Sequence, residues 1–434
     1  MIDKRPKTPR EVAAFSLFSM AEEGAWSDGA LHHYLSRAGL DGRDAALAAR
    51  LTYGTVQNEL LLDWYLRRFS SLRLKKIAPR VLACLRMGLY QLTFMDAVPE
   101  YAAVSETVQL AKKYARGREN FINAVLRNFI RGGRKLQLPE RAADLVTHLS
   151  VAYSTAPWVV RLWLAAYGEA QTEQLLAASN QTPALCVRVN PLRTTVPQLT
   201  QELQCAGFTV TRAPHAARAL LVRGSGLLAT EAYLRGCFSV QDEASILVAD
   251  AVGAKPGETV IDVCAAPGGK TLAMAEQMEN RGEVLAMDLY EHKLALIEAR
   301  ARSEGVSIVR VLCRDSRECL DDCVGRADCV LADVPCSGLG VFRRKPEIKY
   351  KQIDELSVLV EIQKQILAAV AAYVKPGGTL VYSTCTIHPA ENEMQTAAFL
   401  SAHEEFTKIE EQQFLPQMGM DGLYYCKMRR AKQG

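Results

Sequence analysis

The sequence predicts three regions of different fold class: an all-α bundle over residues 1–140, a small α+β unit over 145–235, and an α/β Rossmann-like domain over 236–434. Three observations carry that reading. Through the first 140 positions apolar residues recur at helical spacing, with no strand-like alternation among them. Between about 145 and 235 short alternating runs sit among helical ones. From about 237 onward apolar runs alternate with amphipathic stretches, the pattern of a parallel sheet covered by helices on both faces.

In the first region, segments 45–53, 60–69, 81–94 and 103–114 each carry an apolar helical face. Pro79 stands where a helix can begin, and Val98-Pro99-Glu100 interrupts the pattern before the next. This region holds 22 lysines and arginines against 14 acidic residues, although the whole chain is only +4. A basic front beside a mildly acidic remainder suits a polyanionic partner, because cations release condensed counterions when they meet phosphates. In the middle region, 185–190 alternates as a strand, Pro191 breaks it, 196–206 is helical and 207–211 returns as a strand. In the third, strands are expected at 259–264, 283–288, 309–313, 329–332 and 379–383, with helices at 293–303 and 353–373 between them.

Some classes are excluded. No apolar run approaches the roughly 18 residues of a membrane span. The basic stretch 1–10 is not followed by an apolar segment before Glu22 and Glu23, so no signal peptide is indicated and a cytoplasmic protein is expected. Twelve scattered cysteines fit a reducing compartment, and Cys313, Cys319, Cys323 and Cys329 lack the paired spacing of a zinc site, so no metal is expected.

The run VIDVCAAPGGKT, residues 260–271, is an apolar strand entering a small-residue turn and then a helix. At the carboxyl end of a strand such a turn lets a cofactor approach the backbone, here along Cys264, Ala265, Ala266, Pro267, Gly268, Gly269 and Lys270. A phosphate-binding GxxxxGK[ST] loop fails because Cys264 occupies the opening glycine, and the dinucleotide GxGxxG is absent. Asp288 ends the next strand, 20 residues after Gly268, where a carboxylate accepts from ribose hydroxyls; Asp315, after the third strand, can meet an adenine. Together these favour S-adenosylmethionine over ATP or NAD.

Two cysteine motifs fall at the same sheet edge: LADVPCSGLG, 331–340, after the fourth strand, and YSTCT, 382–386, after the fifth. Cys336, Cys385 and Asp333 suit methylation of cytosine carbon 5, a poor nucleophile until a thiolate adds to carbon 6. A carboxyl group, protonated when it donates, can stabilise that adduct at nitrogen 3. Residue order leaves open which cysteine attacks. The following loop carries Phe342, Arg343, Arg344 and Lys345, expected at the mouth of the site for base stacking and phosphate contacts.

The strings DVCAAPGGKT (262–271), DVPCSGLGVFRRKPEIKY (333–350) and YSTCTIHPAENE (382–393) resemble those of the RsmB/NOL1/NOP2/Sun family of RNA cytosine methyltransferases. Residues 52–65, 98–113 and 120–130 resemble the NusB-like helical domain fused to its bacterial members. The resemblance implies a class I methyltransferase fold and transfer of a methyl group from S-adenosylmethionine to carbon 5 of a cytosine in 16S ribosomal RNA. It implies cofactor contacts from the Cys264–Lys270 loop, Asp288, Asp315 and Asp333, with Cys385 as nucleophile. Cys336 would then release product, as base or by aiding elimination. The helical region would bind RNA, the middle unit would position it, and the protein would act as a monomer. Two alternatives stay open: a transfer RNA substrate, or an RNA-binding assembly factor with a vestigial methyltransferase domain.

Overall fold

The computed structural model describes residues 5–134, 137–352 and 356–432, so the first four residues of the basic stretch 1–10 and the first three of the expected helix 353–373 lie outside the described residues. The chain forms two compact units, divided at Asn180, except that Arg344–Lys351 belongs to the first.

The first unit is helical throughout: α1 (Pro9–Glu23), α2 (Ser27–Ala38), α3 (Gly42–Gln57), α4 (Glu59–Phe69), α5 (Pro79–Phe94), α6 (Glu100–Tyr114), α7 (Glu119–Arg131), α8 (Leu145–Ala152) and α9 (Pro157–Ser179), the last broken at Gly168. Local chemistry sets the starts. Thr8 and Asp41 cap the free N–H groups of α1 and α3, and Pro9, Pro79 and Pro157 occupy first-turn positions where no donor is missed. The apolar faces meet around Leu51, Leu62, Leu66, Leu85, Leu126 and Phe129. Gly54 permits a close approach of α3 to α5, since a Cβ there would lie 2.0 Å from the Tyr90 ring. The segment Arg344–Lys351 completes this core: Ile348 and Lys349 are buried, and the Tyr350 hydroxyl donates to the Val56 carbonyl at 2.7 Å.

The second unit begins with β1 (Leu185–Val189), α10 (Val196–Cys205), β2 (Thr209–Arg212), β3 (Ala219–Arg223), α11 (Glu231–Leu234) and β4 (Phe238–Val240). The strands form an antiparallel sheet in the order β2-β3-β1-β4. Then follow α12 (Glu243–Val252), β5 (Thr259–Asp262), α13 (Gly269–Gln277), β6 (Glu283–Asp288), α14 (Glu291–Glu304), β7 (Val309–Cys313), β8 (Ala327–Asp333), α15 (Leu356–Ala371), β9 (Val374–Thr384), α16 (Glu393–Ala402), β10 (Phe406–Gln413) and β11 (Tyr424–Arg430). The larger sheet runs β10-β11-β9-β8-β5-β6-β7. Strands β5 to β9 are parallel, as expected, but β11 lies antiparallel between β9 and β10, which makes the sheet mixed.

Both faces of the parallel part are covered. Val260, Val284 and Leu331 face one apolar cluster with Leu272 and Met274 of α13; Ile261, Val330 and Leu380 face another with Ile366 and Val370 of α15. Among the described residues no helix is long and apolar enough to cross a membrane.

Candidate active site

Strand β5 pairs with β6 on one side and β8 on the other, so the strand order reverses there and a crevice opens at the carboxyl ends. Beyond β5 the chain turns through Ala265 to Gly268 and enters α13 at Gly269, with Gly268 at φ 96, which a residue bearing a Cβ adopts only under strain. A cleft of about 440 Å³ follows, lined by Cys264, Ala266, Asp288, Asp315, Asp333 and Ile362, among others. The Asp288 carboxylate accepts from the backbone N–H of Ala266 and of Tyr290, each at 3.2 Å, which fixes it across the cofactor loop. Asp315 is gripped by the Arg317 side chain, whose hydrogen bonds hold its carboxyl below the usual range. The donor set fits S-adenosylmethionine: a carboxylate for ribose hydroxyls, Leu289, Ile362 and Ile366 as walls for adenine, and a loop that exposes backbone to the amino-acid end.

Three strands end in aspartate at this edge, and one of them, Asp262, escaped the sequence reading. Its Oδ2 accepts from the Thr271 hydroxyl at 2.7 Å, its Oδ1 is buried without a hydrogen bond, and burial pushes its carboxyl up to about 7. The signal was available, since Asp262 closes β5 as Asp288 closes β6.

The two cysteine motifs converge. Cys336 and Cys385 place their sulfurs 3.1 Å apart, and the Cys385 backbone N–H points at the Cys336 sulfur at 3.2 Å. Beside them the Lys270 ammonium donates to Asp333 at 2.6 Å, and the Ser383 hydroxyl donates to the other Asp333 oxygen at 2.6 Å. The loop carrying Cys336 is held from below by Glu391, fully buried, which accepts from the Ser337 N–H at 2.8 Å and from its hydroxyl. Gln363 bridges the Glu391 carboxylate and the Pro335 carbonyl, each at 3.0 Å. The residues Ser337, Glu391 and Ser383 lie inside the quoted motifs, but their supporting role depends on spatial neighbours that the strings do not display.

The two sulfurs meet different fields. The Cys336 thiol is pushed well above its ordinary range by the contact with Cys385, by burial and by the Glu391 carboxylate. Burial alone would strip the proton from Lys270, but Asp333 outweighs it, with a further contribution from Cys385, and the lysine stays cationic. Lys270 and Cys385 thus interact electrostatically, while the Glu391 carboxylate acts on Cys336.

The basic residues of the following loop are placed differently from expectation. Phe342 and Arg343 are buried, not at an open mouth: Arg343 pairs with Asp421 at 3.3 Å, where both side chains are 4% exposed or less. The cause is the close packing of the turn upstream, where the Gly422 N–H donates to the Gly340 carbonyl at 2.8 Å. Arg344 and Lys345 belong to the helical unit, in which Lys345 is exposed above the Trp26 ring.

Comparison with known proteins agrees with this geometry. Residues 249–429 match the family described as 16S rRNA methyltransferase RsmB/F, residues 7–131 the NusB family, and residues 156–226 the ferredoxin-like domain of RsmF/B-like methyltransferases. The chain is 35% identical to the probable ribosomal RNA small subunit methyltransferase B of Bacillus subtilis, over 97% of this chain and 98% of that one. It is 32% identical to the ribosomal RNA small subunit methyltransferase B of Vibrio cholerae, over 97% of each. The crystal structure of PH0851 shares the fold, with a TM-score of 0.85 at 23% identity over 97% of this chain and 99% of that one. That of NSun6 from Pyrococcus horikoshii with SFG covers 63% of this chain and 98% of its own, with a TM-score of 0.57 at 20% identity.

Proposed function

From the chain's membership of the 16S rRNA methyltransferase RsmB/F family, we propose that it methylates carbon 5 of a cytosine in 16S ribosomal RNA through a covalent adduct with Cys385. The chain belongs to that family, and S-adenosylmethionine-dependent RNA methylation comes with the membership. The finer reading rests on one observation: two sulfurs 3.1 Å apart, beside a Lys270–Asp333 ion pair, with the cation acting on one sulfur and a buried carboxylate on the other.

S-adenosylmethionine, when bound, supplies an electrophilic methyl group. Every other part of the reaction falls to the protein. Lys270 favours the thiolate of Cys385, the form that adds to carbon 6 and makes carbon 5 nucleophilic. Both oxygens of Asp333 already accept hydrogen bonds, from Lys270 and Ser383. Its carboxylate thus suits acceptance from the exocyclic amine of cytosine and from a proton arriving at nitrogen 3, with Lys270 as the adjacent proton reserve. Cys336, held as a neutral thiol, suits donation of its proton to the departing Cys385 sulfur, and the Cys336 thiolate so formed would take up the proton that carbon 5 loses. The Cys264–Lys270 loop, Asp288, Asp315 and Asp333 would hold the cofactor, and the helical and middle regions would hold RNA. Of the expected phosphate contacts, Arg343 is taken up by Asp421, whereas Lys345 is exposed and would remain available.

RNA carrying 5-fluorocytidine at the target traps the adduct, because carbon 5 then has no proton to lose. Cys385→Ala should abolish the trapped species on a denaturing gel, and Cys336→Ala should leave a covalent complex even on ordinary RNA. An adduct that survives Cys385→Ala would overturn the assignment. Bisulfite sequencing of 16S ribosomal RNA from cells with and without the gene locates the acceptor, and an unchanged 16S profile would refute it.

A further inference from the structure

The middle unit carries a charged residue that neither the cofactor cleft nor the cysteine site explains. Arg188 lies in the interior strand β1, with no exposure at all. Its guanidinium forks onto both oxygens of Glu276 at 2.8 and 2.9 Å, reaches Glu304 at 2.9 Å, and donates to the Gln241 side chain. One more bond leaves this cluster: Arg188 Nη1 donates to the carbonyl of Gly269 at 2.8 Å. Gly269 is the first residue of α13 and the last glycine of the cofactor turn. A second arginine does the same two residues earlier, for Arg300 Nη1 donates to the carbonyl of Pro267 at 3.3 Å. Its other nitrogen meets Ser239 and Glu304, each at 3.3 Å, and Ser239 itself donates to Glu304. Neither arginine lines the 440 Å³ cleft.

We propose that Arg188 and Arg300 are positioning residues for S-adenosylmethionine: a two-arginine clamp that anchors the Pro267 and Gly269 carbonyls on the outer side of the turn and makes the small antiparallel sheet part of the cofactor site. The Gly268 carbonyl is already taken by the Leu272 N–H of α13 at 2.9 Å and Gly269 opens that helix, yet Gly268 at φ 96 can swing into other conformations at little cost unless its neighbours are held. Two cationic donors tied to a common carboxylate, Glu304, remove that freedom before the cofactor arrives. Binding then costs less ordering entropy. A buried arginine with two carboxylates is otherwise weak evidence for stability, since hydrophobic replacement of such groups is often neutral, so its reach to the turn is the informative feature.

The test separates this role from a merely structural one. Arg300 is 30% exposed on its side chain, so Arg300→Ala should fold. Its dissociation constant for S-adenosylmethionine, measured by calorimetry without RNA, should rise about fivefold to tenfold, the worth of one ordinary hydrogen bond. KM for the cofactor should rise in parallel while kcat at saturating cofactor is unchanged, and Arg300→Lys should recover part of the loss. Arg188→Lys keeps a charge against Glu276 but lacks the fork that reaches Gly269, and should show the same split. A purely structural role would instead lower the melting temperature and kcat with KM untouched. Unchanged cofactor affinity in a folded Arg300→Ala overturns the clamp, and because the assay uses no RNA, that result leaves the cytosine assignment standing.

Discussion

Lys270 owes its charge to Asp333, 2.6 Å away, in surroundings that would otherwise neutralise it. Removing the cation should therefore act on the nucleophile, not on the fold. In Lys270→Met the thiol of Cys385 loses its neighbouring positive charge, so a higher pH is needed to form the thiolate. The acid limb of kcat/KM should move to higher pH, and kcat at neutral pH should fall by about two orders of magnitude, the usual scale of a lost acid–base or electrostatic partner. Plotting the rate of 5-fluorocytidine adduct formation against pH checks both. An unshifted limb would mean that Lys270 serves only to orient Asp333. Single residues such as Cys336, Cys385 and Asp333 were legible in the sequence because strand-end position and residue type are local properties. Asp262 and Arg188 were not singled out, since a buried carboxylate or arginine declares itself only through partners that arrive from elsewhere in the chain.

At the scale of elements, the helices of the first unit and the parallel strands were readable because burial of one or both faces imposes a period on the sequence. Strand β10 was not, since Phe406–Gln413 is exposed at nearly every position and presents no apolar alternation. Strand β9 extends back to Val374 through a Pro-Gly-Gly stretch that reads as a turn, and a register shift opposite Ala327–Cys329 accommodates it. The loop after β8 shows the same limit: Arg343 is buried with a partner, Asp421, that lies 78 residues away. This loop also yields a prediction. A Cβ on Gly340 would lie 1.8 Å from the carbonyl oxygen of Gly422, a backbone atom that cannot rotate aside. Gly340→Ala must displace the turn whose N–H donates to the Cys385 carbonyl at 3.1 Å. It should cost about 1–3 kcal/mol of stability, as overpacking does, and should disturb the cysteine pair while leaving cofactor binding intact. Thermal unfolding and calorimetry on one sample would show a lowered melting temperature beside an unchanged dissociation constant; an unchanged melting temperature would contradict the packing argument.

At the scale of the whole molecule, the chain leaves the methyltransferase unit after Arg343, lends Arg344–Lys351 to the helical unit, and returns at Gln352. The helical unit thus contains a lysine from the far end of the sequence. Lys349 has no exposure; its ammonium donates to the Tyr153 carbonyl at 3.1 Å, the Gln57 carbonyl at 3.4 Å and the Asn180 side chain, and burial lowers it to about 7. None of these partners carries a charge to repay the desolvation of an ammonium. In the unfolded chain the same group titrates near the free lysine value of about 10.4. Below pH 7 both states hold the proton and the full cost of the buried charge falls on the fold. Between pH 7 and about 10.4 the unfolded state binds more protons than the folded one, so this group makes stability rise with pH. Lys349→Met removes the titration. The difference in unfolding free energy between wild type and Lys349→Met, from urea titrations at several pH values, should therefore shift in favour of the wild type as the pH is raised from 7 to 10. Hydrogen exchange should assign the effect to α3, α8 and the end of α9, the helices nearest Gln57, Tyr153 and Asn180. A difference that stays flat with pH would mean that the ammonium keeps its charge in the folded chain, solvated by those three acceptors.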